Sequence, residues 1–144
     1  MERKPQTYAN HAKWDPIFHF FLAPLLLILA VGAIRYAVVD GSGFAWGIAG
    51  LAVAAMLSVF KMRLYSLKVQ DRVIRMEERL RLSLLLPESL RPRIGELREA
   101  QLIALRFAPD AEAPALVQRI LDGRLDGKAI KQAIKNWRPD YLRV

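Results

Sequence analysis

The chain has no cysteine and only two histidines, His11 and His19, in 144 residues. Disulfides, thiolate metal sites and cysteine nucleophiles are excluded, and imidazole chemistry has few candidates. The signatures of phosphate-binding loops (GxxxxGK then Ser or Thr), zinc proteases (HExxH) and hydrolase elbows (GxSxG) are missing too. Carboxylates are not paired in an apolar setting. They stand at helix starts or beside basic residues, as surface acids do. No enzymatic activity, no cofactor and no metal are expected.

Two long apolar runs are present, Ile17 to Val39 and Phe44 to Phe60, separated only by Asp40-Gly41-Ser42-Gly43. Each is close to the roughly 20 apolar residues that cross the hydrocarbon core of a bilayer. A four-residue connector implies an antiparallel transmembrane hairpin with both ends on one side. The first run exceeds the roughly 7–15 residues of a signal-peptide core, and a second run follows at once, so it reads as a retained span.

Net charge is +8 from 22 Lys and Arg against 14 Asp and Glu. Arg3, Lys4 and Lys13 precede the first run; Lys61, Arg63, Lys68, Arg72 and Arg75 follow the second. The connector carries only Asp40, with Arg35 one turn inside the span end and able to snorkel. Basic flanks mark the cytoplasmic side, so both termini are expected there. Trp14 and Tyr65 then fall at the inner interface, Tyr36 and Trp46 at the outer one. A basic segment just past a span also suits an anionic leaflet as partner.

The runs differ in character. The first holds Phe18, Phe20, Phe21 and a stretch from Leu25 to Leu29, with Pro24 expected to kink it or loosen one turn. His19 lies near its inner end, where an imidazole can sense pH, although His11 alone is available as a second ligand. The second run is rich in small residues. Gly43-xxx-Gly47, Ala45-xxx-Ala49 and Gly50-xxx-Ala54 place small side chains one turn apart, which lets helix backbones approach closely. The simpler reading packs this face on the first span; the other packs it on a second copy.

No Gly or Pro occurs from Lys61 to Leu86. The second span is therefore expected to continue as one helix of more than 40 residues, about 60 Å long. Met62, Tyr65, Val69, Val73, Met76 and Leu80 recur at spacings of three and four, one helical stripe. It is expected to bury itself on the C-terminal part or on the same stripe of another subunit. Pro87, Pro92 and Gly95 mark a break and a linker.

Beyond it, three short helices are expected. The first covers Arg98 to Phe107. The second opens at Asp110 as N-cap, buries Leu116, Val117, Ile120 and Leu121, and stops at Gly123. The third is capped by Asp126 and ends near Asn136. Their core is too small to stand alone and needs the long helix or another copy. Arg124, Lys128, Lys131, Lys135 and Arg138 are placed on a basic face. Two helices around a Gly turn outline a helix-turn-helix, but a solvated face near an anionic leaflet is the preferred reading over nucleic-acid binding. Trp137 is read as a core plug rather than a lipid-interface anchor.

The expected fold is thus all-α: segment 1–16, a hairpin of spans 17–39 and 44–60, an extension helix 61–86, and a linker with a helical unit over 87–144. The leading function is a non-enzymatic membrane protein that self-assembles or anchors a partner. The alternative is a sensor or transport-accessory subunit responding to a ligand or proton near His19 and Pro24.

Three sets of strings carry a resemblance. They are Asn10-His11, Pro16, His19-Phe20 and Pro24; Gln101 to Ala108 followed by Asp110; and Ile130-Lys131, Ala133 to Trp137 and Arg143-Val144. Together they resemble a family of short bacterial two-span membrane proteins of unknown function with a helical cytoplasmic tail. The resemblance implies a bacterial inner-membrane location and brings no activity or catalytic residue.

Overall fold

The structure, a computed structural model, describes residues 5–11, 14–123 and 125–140. Arg3, Lys4, Lys13, Arg124 and the closing Arg143-Val144 lie outside the described residues. The fold is all-helical. A π-helical turn, Ile17–Leu22, leads into α1, Ala23–Asp40. Then follow α2, Gly43–Leu85, a 3-10 helix, Arg91–Glu96, and three short helices: α3 (Glu99–Leu105), α4 (Ala113–Leu121) and α5 (Gly127–Ala133). Residues 14–68 form one compact unit, and residues 5–11 with 69–140 form the other.

Two helices are long and apolar enough to cross a membrane, Ile17–Asp40 in the first unit and the 43-residue Gly43–Leu85, whose residues 43–68 belong to it. The turn between them is built by its own side chains. Gly41 adopts φ 72°, the left-handed region open to glycine, and its N–H closes α1 on the Ala37 carbonyl. The Asp40 carboxylate accepts from the Ser42 N–H and hydroxyl, and the Ser42 hydroxyl accepts from the Ala45 N–H at 3.2 Å. That bond caps α2. Ala33 and Ala37 then meet Ala45 and Ala49, small side chains that bring the two backbones together.

Pro24 explains the π turn. The Ala23 N–H reaches back five residues to the Phe18 carbonyl, and Pro24 has no N–H with which to restore the four-residue pattern. Asp15 starts the turn by accepting from the Phe18 N–H at 3.1 Å.

In the second unit, Leu82 and Leu86 pack with Leu102, Leu105, Phe107, Leu116, Val117, Ile120, Ile130 and Ile134 in one core. The face of α2 turned to this core is not the one the apolar spacing favours. Ile74, Glu78 and Leu82 are buried, whereas Val69, Val73, Met76 and Leu80 are exposed. Arg81 sets that rotation. Its guanidinium donates to Asp110 at 2.7 Å, to the Ala108 carbonyl at 2.6 Å and to Glu78 at 3.1 Å.

Several expected boundaries shift for reasons of the same kind. Asp110 is taken up by Arg81 instead of capping a helix, and residues 109–112 form a turn on the Pro109 carbonyl, so α4 starts at Ala113. The Glu112 carboxylate accepts from the N–H groups of Lys135 and Asn136, both at 3.0 Å, which draws the chain out of α5 at Ile134. The segment after Pro87 is not a bare linker, since Leu90 and Ile94 pack on the core. Gly123, at φ 76°, ends α4, and the Asp126 carboxylate caps α5 by accepting from the Ala129 N–H at 2.7 Å.

Helices α3 and α5 touch at Gly127, where a Cβ would lie 2.9 Å from the Ala100 carbonyl oxygen. A side chain there forces two backbones apart. Gly127→Ala is expected to destabilise this unit by about 1–3 kcal/mol, seen as a melting point several degrees lower for the full chain in detergent. Gly95→Ala, with nothing within 4 Å of the added Cβ, is expected to leave it unchanged.

Candidate functional site

Two surfaces gather polar or unpartnered groups. The first is an open groove of about 790 Å³ in the second unit, lined by Glu78, Arg81, Arg106, Asp110, Arg138 and Asp140, with Glu77, Leu80 and Leu84 of α2 shared between its rim and the second surface. Its charges are matched to one another. Arg81 holds Glu78 and Asp110, Arg106 lies 3.5 Å from Asp140 and over the Phe107 ring, and Arg138 comes within 3.9 Å of Glu78. Burial pushes the Glu78 carboxyl above the usual carboxylate range, against the lowering pull of Arg81. The arrangement holds structure together.

The N-terminal segment joins this unit, an interaction the sequence did not signal. Gln6 donates to the Asp140 carbonyl at 3.1 Å and accepts from the Asp140 N–H at 2.8 Å. His11 stands against Phe107 and Trp137, each with ring centroids 5.6 Å away, and 3.1 Å from the Lys131 ammonium. Trp137 lies 4.9 Å from Phe107 and covers the core, as a plug does.

These contacts break up the basic face. Lys131 is occupied by His11, Arg138 faces Glu78, and Lys135 and Arg138 lie past the end of α5. Lys128 and Lys135 are exposed, and Arg124 is outside the described residues. Among the described residues the basic side chains do not form one row along one helix.

The second surface is the outer face of α2. In the first unit the small residues divide: Ala45 and Ala49 face α1, whereas Gly43, Gly47, Gly50 and Ala54 are exposed. Nothing lies within 4 Å of a Cβ built on any of those three glycines. Among the described residues of the second unit, the exposed large apolar side chains other than Tyr8 are Val69, Val73, Met76, Leu80 and Leu84, all on α2, from 47% exposed at Val73 to 74% at Leu84. Both units thus leave apolar or small positions of α2 uncovered. Trp14, Tyr36, Trp46 and Tyr65 are exposed at the ends of the apolar segments.

Around the π turn, His19 Nδ1 lies 2.8 Å from the Asp15 carbonyl oxygen, which can only accept. The Asp15 carboxylate pairs with Arg63 at 3.5 Å, and Arg63 also lies over the Phe18 ring. Among the described residues no three His, Cys, Asp or Glu side chains are grouped as metal ligands.

Two carboxylates give opposite pH signatures. Glu78 is raised, so its contribution to stability is full below about pH 4.5 and is lost as pH rises through its folded value. Glu112 is lowered, chiefly by the Lys135 N–H, so its contribution is present above that range and lost as pH falls through its folded value. In melting curves from pH 3 to 8, Glu78→Gln is expected to remove a fall in stability with rising pH. Glu112→Gln is expected to remove a fall on acidification, and to cost about 1–2 kcal/mol at pH 7 through weaker bonds to Lys135 and Asn136.

No curated protein and no solved structure matches this chain. The model of a family of unknown function, DUF6526, matches residues 1–144, and the chain belongs to that family.

Proposed function

We propose that this protein is a non-enzymatic, two-span protein of the bacterial inner membrane, with both termini in the cytoplasm, that self-assembles through the outer face of α2. The observation that carries this reading is the exposed series Val69, Val73, Met76, Leu80 and Leu84 of the second unit; in the first unit, taken by itself, Gly43, Gly47, Gly50 and Ala54 are also uncovered. A water-exposed apolar row of this length is an interaction surface. The lipid side is supported by the exposed Lys61, Lys68 and Arg72, which follow the second apolar run and suit an anionic leaflet. Groups paired inside the second unit, such as Lys131 and Arg138, give nucleic-acid binding no comparable support.

A second reading, a proton- or ligand-responsive accessory subunit, draws support from one feature. The π turn holds His19 and the Asp15–Arg63 pair at the entrance to the first apolar helix. Such turns are often found at functional sites.

A reporter active only in the periplasm is expected to be silent when fused after Val144 and active when inserted at Ser42. Signal from the C-terminal fusion contradicts the orientation. In native-lipid nanodiscs the wild-type protein is expected to contain more than one copy by mass. Gly47→Leu with Gly50→Leu, or Val73→Glu with Met76→Glu, is expected to shift it toward one copy with insertion intact. A wild type with strictly one copy contradicts self-assembly.

A further inference from the structure

The exposed positions of α2 carry more information than their polarity. In the second unit Val69, Val73, Met76, Leu80 and Leu84 are separated by 4, 3, 4 and 4 residues. Val69 and Val73 therefore each have an apolar counterpart 11 residues later, at Leu80 and Leu84. A coiled-coil stripe of seven-residue period would run 69, 73, 76, 80, 83, and position 83 is a serine. An 11-residue period is about 3.67 residues per turn, slightly more than the 3.6 of a straight helix, and two helices joined along it wind right-handedly. The small residues of the span, taken separately, favour the same hand, because Gly43-xxx-Gly47 is the spacing of right-handed helix pairs in membranes.

The charges at the edges of the row select a partner. Lys68, Arg72 and Arg79 lie along one edge, Gln70 and Glu77 along the other. Over 69–80, where the seven- and 11-residue patterns coincide, a residue just before a core position of a parallel two-fold pair faces the residue five positions later on the partner. Arg72 precedes Val73, and Glu77 is five residues after Arg72. The two-fold axis thus sets Arg72 of each copy beside Glu77 of the other, and both side chains are exposed and available in the single chain. An antiparallel pair loses this match. An anionic lipid surface is also a poorer occupant, since Glu77 borders the row.

We propose that the outer face of α2 is the seam of a parallel, right-handed pair of copies of this chain, in register, with Arg72 and Glu77 closing both edges. The proposal rests on the self-assembly reading above and specifies its geometry. It gives each core position of the row its own counterpart across the axis, so the same side chains that are unpartnered in one chain become mutually buried in two.

The absence of cysteine makes the test clean, because every single-cysteine variant has one thiol. Cysteine is placed in the full chain at 69, 73, 76, 80, 83 and 84, with Ile74→Cys as a buried control, and disulfides are trapped by mild oxidation in nanodiscs. Cross-linking is expected at 69, 73, 76, 80 and 84, with 83 and 74 low. On the Leu80→Cys background, Arg72→Glu is expected to lower the cross-linked fraction about threefold, and Arg72→Glu with Glu77→Arg to restore it. These positions are exposed, and an unchanged melting point verifies folding. Strong cross-linking at 83 in place of 84 overturns the right-handed winding, and cross-linking confined to one position overturns the parallel arrangement; self-assembly survives both. A charge swap that fails to restore overturns the register. No cross-link at any position, with one copy per nanodisc by mass, overturns self-assembly itself and leaves the face to lipid or another protein.

Discussion

Arg81 is the residue on which the rest of the second unit turns. From α2 it reaches the carbonyls of Leu105, the last residue of α3, and of Ala108 beyond it, the carboxylate of Asp110, and Glu78 one turn earlier on its own helix. A guanidinium has five donors in a rigid fork, so satisfying this many acceptors at once fixes the helix about its own axis. With the axis fixed, Leu82 and Leu86 enter the core, and the row 69–84 has only one direction left to face. The exposed apolar surface is therefore a consequence of the packing, and loosening of the helix is not needed to explain it.

The core gains from that arrangement. Three helices of seven, nine and seven residues enclose little on their own. Their shortage is made up by Leu82 of α2 and Leu86 just after it, by Ile94 of the 3-10 helix and Leu90 just before it, and by Trp137 with His11 at the other side. Long-range bonds act beside the local caps of α3 and α5. The Arg138 N–H donates to the Phe107 carbonyl at 2.8 Å, and Gln101 ties the start of α3 to the Leu125 carbonyl at 3.0 Å. Such bonds make the unit depend on chain segments far apart in sequence, and two of its element ends, the start of α4 and the end of α5, are set by tertiary contacts.

The same distinction separates what was readable in the sequence from what was not. The hairpin turn was legible because Asp40, Gly41 and Ser42 each act on atoms within four residues. Gly123 and Asp126 were legible for the same reason. The start of α4 was not, because Asp110 is an ordinary N-cap until Arg81, 29 residues away in sequence, occupies it. The end of α5 was hidden likewise by Glu112. The packed face of α2 escaped notice because Glu78 interrupts it, whereas the exposed row is unbroken and looks more like a core. On the candidate surface, the small residues were readable as a set. Their division between Ala45 and Ala49 facing α1 and Gly43, Gly47 and Gly50 facing out was not, since both groups share the four-residue spacing.

In the proposed assembly the outer row of α2 meets the same row of a second copy. The most direct measurement is the dipolar coupling between spin labels attached at position 80 of the full chain in nanodiscs. Helices packed along this row lie about 8–10 Å apart, so the account predicts strong coupling at short range, abolished by dilution with unlabelled protein. Absence of coupling in the undiluted, fully labelled sample would contradict it.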